Sequence, residues 1–381
     1  MKYIPYGRQF IDRSDVKEVS KALVQDFITT GNYVKKFEGR VSSFLRVKYA
    51  LSCINGTSAL HLAFMAINLK KNDVVIMPAV NFIASYSMAK LMNAKVYLAD
   101  VDSLTGQMTA KTLVDCIKKN KIKKVKVVVT MYLGGYPENV IEFYKIKKKY
   151  KFYLIEDACH ALGAKYYYKN TYIPIGSCKH SDIATFSLHP VKTITSGEGG
   201  IVTTNNRLIY KQMNLMRSHG IKKNKNFHWK YNISKLGYNY RLSDLNCALA
   251  LSQLKKINKF INYRKKIYDF YRSNLKNNQF INLPNYTYAK SSFHLFLISI
   301  NFKKEKNKDK FLKFLKKEKI YFQFHYIPIY KFKIFDKKIN LGFYKGSESY
   351  YRNTLSLPIF YNLSINSAKQ VVKKMLSILK L

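Results

Sequence analysis

Short apolar runs alternate with amphipathic stretches along the first two thirds of the chain. The apolar runs have the length and residue types of buried strands and lie at 50–54, 74–77, 95–98, 125–131, 152–155, 183–186 and 201–204. Stretches with helical spacing separate most of them, at 59–69, from 82, at 110–119, through 149 and at 207–218. This repeated βα order predicts an α/β fold with a large, mostly parallel sheet and helices on both of its faces.

Further helices are predicted on either side of this region. Ser14 is expected to cap a first helix that reaches about residue 26, and a second helix should end near Leu45. Ser243 is expected to cap one long amphipathic helix that reaches about residue 274. Between them, the lysine- and asparagine-rich stretch 221–235 predicts a mobile loop.

The pattern changes near residue 276. A strand at 293–300, a helix at 309–318, a strand at 321–325 and a last helix at 365–379 predict a smaller α+β domain. The charged stretch 303–310 is expected to be a solvated hairpin or loop. We therefore expect a large domain over residues 1–250 and a small C-terminal domain over residues 251–381.

Composition adds limits to this outline. With 381 residues, 47% of them hydrophobic, the chain can bury a core for two such domains. No apolar run approaches the roughly 18 residues of a membrane span, and the first residues lack the apolar core of a signal peptide. We therefore expect a cytoplasmic protein that does not bind membranes. The five cysteines lack metal-ligand spacing, which predicts free thiols without a disulfide or a metal.

The formal net charge of +45 is the most unusual property of the chain. A strongly basic chain is typical of proteins that bind nucleic acids. Here the excess is mostly lysine spread over the whole length, together with abundant tyrosine, isoleucine and asparagine, which indicates a compositional bias. We expect no nucleic-acid partner, and we expect the charge to attract small anionic substrates.

One lysine has neighbours that suggest chemistry. Lys192 follows the apolar run 183–186 and precedes the glycine-rich segment 196–200, so it lies on a loop between two predicted strands. Upstream, the run 152–155 ends on Glu156 and Asp157, and the carboxyl end of a buried strand is where open α/β sheets bind ligands. A Schiff-base lysine and an acid that holds a pyridinium nitrogen are what a pyridoxal phosphate enzyme requires.

A polar turn, Asn55 to Ser58, opens the predicted helix at 59–69. The free N–H groups at a helix start, at the positive end of the helix dipole, form a phosphate site, and the hydroxyls of Thr57 and Ser58 add donors. Taken alone, these residues are explained better by a plain helix cap.

Three motifs together resemble one family. EDACHALGA at 156–164, SLHPVK at 187–192 and SGEGG at 196–200 are similar to the motifs of the DegT/DnrJ/EryC1/StrS sugar aminotransferases. The resemblance runs from residues 4–8 to residues 356–358. It implies the type I, aspartate aminotransferase-like fold, a pyridoxal 5'-phosphate cofactor, L-glutamate as amino donor and a homodimer. Members that have become sugar dehydratases replace the lysine with histidine, whereas this chain keeps Lys192.

The resemblance also implies a substrate. The most similar branch aminates C4 of a UDP-linked 4-keto-6-deoxy-N-acetylhexosamine in a pseudaminic acid-type pathway. Amination at C3, or of a GDP- or dTDP-linked keto sugar, is the alternative within the same fold. A pyridoxal phosphate-binding protein with a regulatory or nucleic-acid role is a remote alternative that the net charge suggests.

Roles for individual residues follow from the resemblance. The implied catalytic residues are Lys192, Asp157 and His160. Those implied to bind the cofactor also include Thr57, Ser58, Phe82, Ser187 and Asn239, the last from the neighbouring subunit. Those implied to bind the substrate are Tyr6, Thr30, Gly31, His325 and Tyr326.

Overall fold

The computed structural model describes residues 3–224, 226–227, 229–286, 289–302, 305–335 and 339–379. The elements of its first part are α1 (Arg13–Leu23), α2 (Asn32–Leu45), β1 (Tyr49–Cys53), α3 (Gly56–Ala66), β2 (Val74–Pro78), α4 (Ala84–Leu91), β3 (Lys95–Ala99), α5 (Ala110–Lys119), β4 (Val127–Met131), α6 (Val140–Tyr150), β5 (Tyr153–Asp157), β6 (Lys165–Tyr168), β7 (Thr171–Pro174), β8 (Ile183–Ser187), β9 (Gly200–Thr204), α7 (Arg207–Met216), β10 (Ile221–Lys223), β11 (Tyr231–Ile233), α8 (Asp244–Lys255) and α9 (Ile257–Leu275). None of the helices in the described ranges is long and apolar enough to cross a membrane.

The large sheet is mostly parallel, as the βα pattern predicts. Its strands lie in the order β1, β9, β8, β5, β4, β2, β3, and only the pairs that β9 makes with β1 and β8 are antiparallel. In register, Asp157 at the end of β5 pairs with Met131 of β4 and Thr185 of β8. The carboxyl ends of the central strands therefore meet at one edge, where the loops that follow them converge.

Helices cover both faces of this sheet because its strands are apolar on both sides. Along β4, Val127 and Val129 belong to the core that α3, α4 and α7 cover, whereas Val128 belongs to the core under α5 and α6. Successive strand residues point to opposite faces, so a continuous apolar run is buried on both. Helices α2 and α8 pack with β8 in a third apolar cluster, which contains Phe186.

The C-terminal part forms a separate core of its own. Its elements are β12 (Ile281–Asn282), β13 (Ala289–Lys290), β14 (Phe296–Ile300), α10 (Glu305–Lys317), α11 (Lys345–Asn353), β15 (Thr354–Leu357) and α12 (Ile365–Leu379). β14 pairs with β12 and β15, and α9, α10 and α12 supply much of the surrounding apolar surface. Ile4 from the start of the chain is buried in the same core. The small α+β unit is thus present, and its boundary at residue 250 stays a prediction.

Two predicted helix features are wrong. Asp12, and not Ser14, caps α1: its carboxylate accepts from the backbone N–H groups of Ser14 and Asp15 in a reciprocal capping box. The predicted single helix from Ser243 is two helices, α8 and α9, which meet at Lys256. The ammonium of Lys256 pairs with Asp15 at 2.6 Å and with Asp12, so this junction is tied to the start of α1.

Three predicted loops and strands also differ. The stretch 221–235 forms a hairpin of β10 and β11, because Ile221 to Lys223 pair with Tyr231 to Ile233; Lys225 and His228 lie outside the described residues. The stretch 303–310 is helical from Glu305, and Lys303 and Lys304 lie outside the described residues. Residues 321–325 form no strand, because within this stretch only Gln323 makes a bridge, to Ser356.

Asp244 holds the turn before α2. Its buried carboxylate accepts from the backbone N–H groups of Gly31 and Tyr33 at 2.7 Å and of Val34 at 3.3 Å. It therefore replaces the side-chain cap that Gly31, the N-cap residue of α2, cannot supply. A Cβ on Gly31 would lie 2.9 Å from Oδ1 of Asp244, so this close approach requires glycine.

We predict that Asp244→Ala lowers the free energy of unfolding by about 3 kcal/mol, because three buried N–H groups lose a charged acceptor. Urea unfolding of the variant beside the wild type measures this loss. The control is Ser243→Ala, which removes only the ordinary cap of α8 and should cost about 1 kcal/mol. Equal losses in the two variants would contradict this role of Asp244.

Candidate active site

A cavity of about 670 Å³ lies at the carboxyl edge of the sheet, against the C-terminal unit. It collects most of the residues that sequence analysis singled out: Tyr6, Thr57, Phe82, Asp157, His160, Ser187, Lys192, His325 and Tyr326. They come from loops after β1, β2, β5 and β8, from the first residues of the chain and from the segment before β15. Residues far apart in sequence therefore meet in one site.

Lys192 is half-buried on the loop after β8. Its backbone N–H donates to the carbonyl of His189 at 2.9 Å, so the side chain leaves from a tight turn. Burial lowers the pKa of its ammonium, and the nearby Cys159 and Asp157 partly oppose this shift. A lysine with a lowered pKa has more neutral amine at a given pH, which is the form that attacks a carbonyl.

Asp157 is buried at the end of β5 with two donors. The N–H of Cys159 donates to Oδ1 at 3.2 Å, and the hydroxyl of Ser85 donates to Oδ2 at 3.3 Å. Burial nevertheless raises the pKa of this carboxyl, although those hydrogen bonds and the charge of Lys192 oppose the shift. A cationic N–H donor placed beside it would stabilise the ionised form.

The start of α3 forms one wall of the cavity. Gly56 and Thr57 line it, and the first N–H groups of a helix have no partner within the helix. A Cβ on Gly56 would lie 3.1 Å from Cβ of Ser187 and 3.2 Å from Sγ of Cys159, so glycine lets the helix start approach Ser187. Ser187 Oγ accepts from the N–H of His189, which leaves its own proton free to donate.

Ser58 lies behind this wall and does not line the cavity. Its buried hydroxyl donates to Oδ1 of Asn55 at 2.7 Å, and the same oxygen accepts from the N–H of Ser58 at 2.8 Å. The helix-cap interpretation therefore accounts for Ser58, whereas Thr57 faces the cavity. The direct phosphate contact predicted for Ser58 has no geometric support in this arrangement.

His160 links two segments on the opposite side. The N–H of Gly134 donates to His160 Nδ1 at 3.3 Å, so the ring proton lies on Nε2, which donates to the hydroxyl of Tyr326 at 3.0 Å. Burial lowers the pKa of His160 well below its usual value, and Lys192 adds to the shift. The imidazole is therefore neutral, and the hydroxyl proton of Tyr326 remains available for a ligand.

His325 and His294 also face the same space. Burial and Lys192 lower the pKa of His325 to about 3, and its Nδ1 lies 2.8 Å from the hydroxyl of Ser356. His294, whose ring centroid lies 4.2 Å from that of His160, was missed by sequence analysis because it precedes β14 without a recognisable motif. In the described part of the chain no cluster of histidine, cysteine or carboxylate side chains is arranged to hold a metal ion.

Phe82 is unusual among the aromatic residues of the site because it is 52% exposed. It follows β2, lines the cavity and lies 5.7 Å from the ring of Tyr326. A core role, the alternative for a phenylalanine at this spacing, is excluded by this exposure. Nearby Asn81, which sequence analysis also missed, is buried with no partner for Oδ1.

Thr30, Gly31 and Asn239 do not line this cavity. Thr30 lines a separate surface groove of about 710 Å³ together with Arg241. Asn239 is exposed, and its backbone bridges to Ser218, which lines the same groove. A contribution of these residues to the cavity therefore requires a second subunit.

Comparison with known proteins identifies the family. Residues 9–376 match the DegT/DnrJ/EryC1/StrS aminotransferase family. The chain belongs to this family. A UDP-4-amino-4,6-dideoxy-N-acetyl-beta-L-altrosamine transaminase of Campylobacter jejuni is 35% identical over 378 residues, which is 99% of this chain and 98% of that protein. A GDP-perosamine synthase of Escherichia coli O157:H7 is 33% identical over 72% of each chain.

A solved structure gives the same result for the fold. Helicobacter pylori PseC, an aminotransferase involved in the biosynthesis of pseudoaminic acid, superposes with a TM-score of 0.89 over 100% of both chains at 28% identity. The expected pyridoxal phosphate aminotransferase fold is thereby confirmed. The protein is an aminotransferase with pyridoxal phosphate as cofactor. The cavity fits that cofactor, since it holds a lysine amine, a buried carboxylate and a helix start beside a free hydroxyl.

Glu156 lies next to Asp157 in β5, and its side chain is on the opposite face of the sheet. Its buried carboxyl accepts from the hydroxyl of Tyr132 at 3.1 Å and from the N–H of Gly176 at 3.2 Å. Burial raises its pKa to about 7 despite these donors. A carboxyl with this pKa binds its proton more tightly in the folded chain than in the unfolded one.

We predict that this carboxyl makes the protein less stable as the pH rises. Because the pKa of Glu156 is about 7 when folded and about 4.5 when unfolded, the stabilisation that its proton provides is lost as the pH rises from about 4.5 to about 7. Glu156→Gln should therefore remove roughly 2 kcal/mol of the fall in unfolding free energy between pH 5 and pH 8. Urea unfolding at both pH values tests this, with the exposed Glu142→Gln as control. An unchanged pH dependence in Glu156→Gln would contradict the assignment.

Proposed function

We propose that the protein transfers the amino group of L-glutamate to C4 of a UDP-linked 4-keto-6-deoxy-N-acetylhexosamine in a pseudaminic acid-type pathway. The single observation that carries the chemistry is that Asp157, at the end of β5, and Lys192, on the loop after the adjacent β8, face one cavity. The names of the Campylobacter jejuni and Helicobacter pylori relatives, which match essentially the whole chain, support the substrate. The products are 2-oxoglutarate and the 4-amino sugar.

The side chains divide the work of the two half-reactions. When bound, pyridoxal phosphate supplies an electron sink for the negative charge that develops on the substrate carbon. Lys192, in its neutral form, removes the proton from Cα of glutamate and later returns a proton to C4 of the sugar. Asp157 would keep the ring nitrogen of a bound cofactor protonated, and His160 would contact the side of the ring that carries the 3′ oxygen.

Other residues of the cavity hold the ligands in place. Thr57 and Ser187 would hold the cofactor phosphate at the start of α3, and Phe82 would cover the ring face. Tyr6, His325 and Tyr326 bind the sugar, and their polar groups face the cavity from the small unit and the start of the chain. The cytoplasmic location and the absence of a nucleic-acid partner stay predictions.

We also propose a homodimer in which Asn239 reaches the cofactor phosphate of the partner, while Thr30 and Gly31 approach the partner's substrate. Two bridges bring these segments together, from Thr29 to Ser243 and from Ser218 to Asn239. Large apolar side chains are exposed around them, including Val24 at 82%, Phe27 at 68% and Leu236 at 89%. An exposed apolar surface of this kind favours burial against a second copy.

The substrate assignment predicts one regiochemical outcome. Incubation with glutamate and the UDP-linked 4-keto sugar should yield the 4-amino sugar, which NMR of the product identifies. Lys192→Ala should form no product, whereas Lys179→Ala, which changes an exposed loop lysine, should act like the wild type. Amination at C3, or faster turnover of a GDP- or dTDP-linked keto sugar, would contradict the proposed substrate. The proposed amino-transfer chemistry would still stand.

The dimer predicts complementation between two inactive variants. Lys192→Ala and Asn239→Ala are co-expressed with different tags, and the hybrid dimer is purified through both tags. If each site combines Lys192 of one subunit with Asn239 of the other, one site of the hybrid is intact and about half of the wild-type activity returns. If Asn239 acts within its own subunit, both sites are damaged and the hybrid stays inactive.

A further inference from the structure

Arg264 is a buried cation that the reaction does not use. It lies on α9, is 2% exposed and belongs to the largest fully buried side chains of the described residues. In the described part of the chain no carboxylate pairs with it, and its Nε has no hydrogen-bond partner. Buried charges are normally paired, so an arginine in this setting requires another explanation.

The guanidinium is held by backbone carbonyls of three separate segments. Nη1 donates to the carbonyl of Ile359 at 2.9 Å and of His294 at 3.3 Å. Nη2 donates to the carbonyls of Val191 and Lys192 at 3.5 and 3.4 Å. One planar group thus connects the loop of the lysine with two segments of the C-terminal unit.

Two of these segments place side chains in the cavity, and the third contacts the backbone of a residue that does. Lys192 and His294 line it directly. Ile359 donates its N–H to the carbonyl of Tyr6 at 3.1 Å, and Tyr6 lines the cavity as well. Arg264 therefore connects three walls of the site through their backbone.

We propose that Arg264 is a positioning residue that holds the backbone of Lys192 against the C-terminal unit and so keeps its amine buried at the site. This role rests on the proposed function of Lys192. The five donors of a guanidinium point in fixed directions, so Nη1 and Nη2 reach opposite segments at once, which one lysine ammonium cannot do. Burial lowers the pKa of Arg264 only to about 10, so the group stays charged at neutral pH.

The first test is Arg264→Met in the cofactor-loaded enzyme. Methionine fills similar space without a charge, and it removes the donor from the carbonyl oxygens of Ile359, His294, Val191 and Lys192. We expect kcat to fall at least about tenfold with KM for glutamate within about twofold, because the reacting amine is displaced while ligand contacts remain. The control is Arg272→Met on the same helix, whose guanidinium donates to the carbonyl of Pro284 away from the cavity.

A second measurement uses the apoprotein and needs no turnover. Cyanate carbamylates neutral amines, and mass spectrometry of the Lys192 peptide gives its rate, with the exposed Lys179 as internal reference. Without the hydrogen bonds of Arg264, the amine of Lys192 moves toward water. Because burial is the main cause of its lowered pKa, the pKa of Lys192 then rises toward its ordinary value. We expect its carbamylation at pH 8 to slow at least about threefold in Arg264→Met, while that of Lys179 is unchanged.

Chemical rescue separates positioning from general stability. Added methylguanidinium should restore kcat in Arg264→Ala and should have no effect on Lys192→Ala. A wild-type kcat and a wild-type carbamylation rate of Lys192 in Arg264→Met would overturn the proposal. It would also be overturned if the kcat of Arg264→Ala fell in step with its thermal stability and methylguanidinium did not restore it. If instead Lys192→Ala retains activity, the proposed function itself fails, which is a different result.

Discussion

The desolvation of two opposite charges governs this site. Lys192 and Asp157 both lie where water is largely excluded, so burial lowers the pKa of the amine and raises the pKa of the carboxyl. Each shift favours the neutral form of its group. A cofactor with a protonated ring nitrogen and a carbonyl carbon would stabilise the ionised carboxylate of Asp157 and would react with the neutral amine of Lys192.

The rest of the fold keeps these two groups in place. Parallel pairing of β5 with β4 and β8 fixes the end of β5, where Asp157 lies. The loop of Lys192 is fixed by its own turn and by Arg264. The guanidinium of Arg264 reaches this loop from α9, which packs into the core of the C-terminal unit. Asp244 plays a similar part for the turn at Thr30 and Gly31, which belongs to the surface proposed to meet a second subunit.

The elements that were predicted correctly from the sequence are those with a clear periodic pattern of apolar residues. The sheet strands and α5 lie within a few residues of their predicted positions, because buried strands are short apolar runs and α5 has a clear polar face. The cap at Asp12 is local, and it was missed because Ser14, two residues on, is also a typical capping residue. The break at Lys256 was missed because this junction is tied to Asp12 and Asp15 of α1 across more than two hundred residues. No local pattern records such a contact.

The site followed the same rule. Lys192 and Asp157 were found because their types and neighbours carry the chemistry, whereas His294, Asn81 and Arg264 were missed because their importance arises only from the fold. Ser58 is the opposite case: its type fits a phosphate site, its hydroxyl donates to Asn55, and its contact with the cofactor phosphate stays a prediction.

The central claim is that Lys192 and Asp157 carry both half-reactions on one sugar class. The most direct measurement is the visible spectrum of the cofactor-loaded protein, first with glutamate and then with the UDP-linked 4-keto-6-deoxy-N-acetylhexosamine. The account predicts that glutamate removes the band of the lysine-bound cofactor and that the keto sugar restores it. A band that glutamate leaves unchanged, or the same spectral cycle in Lys192→Ala, would contradict it.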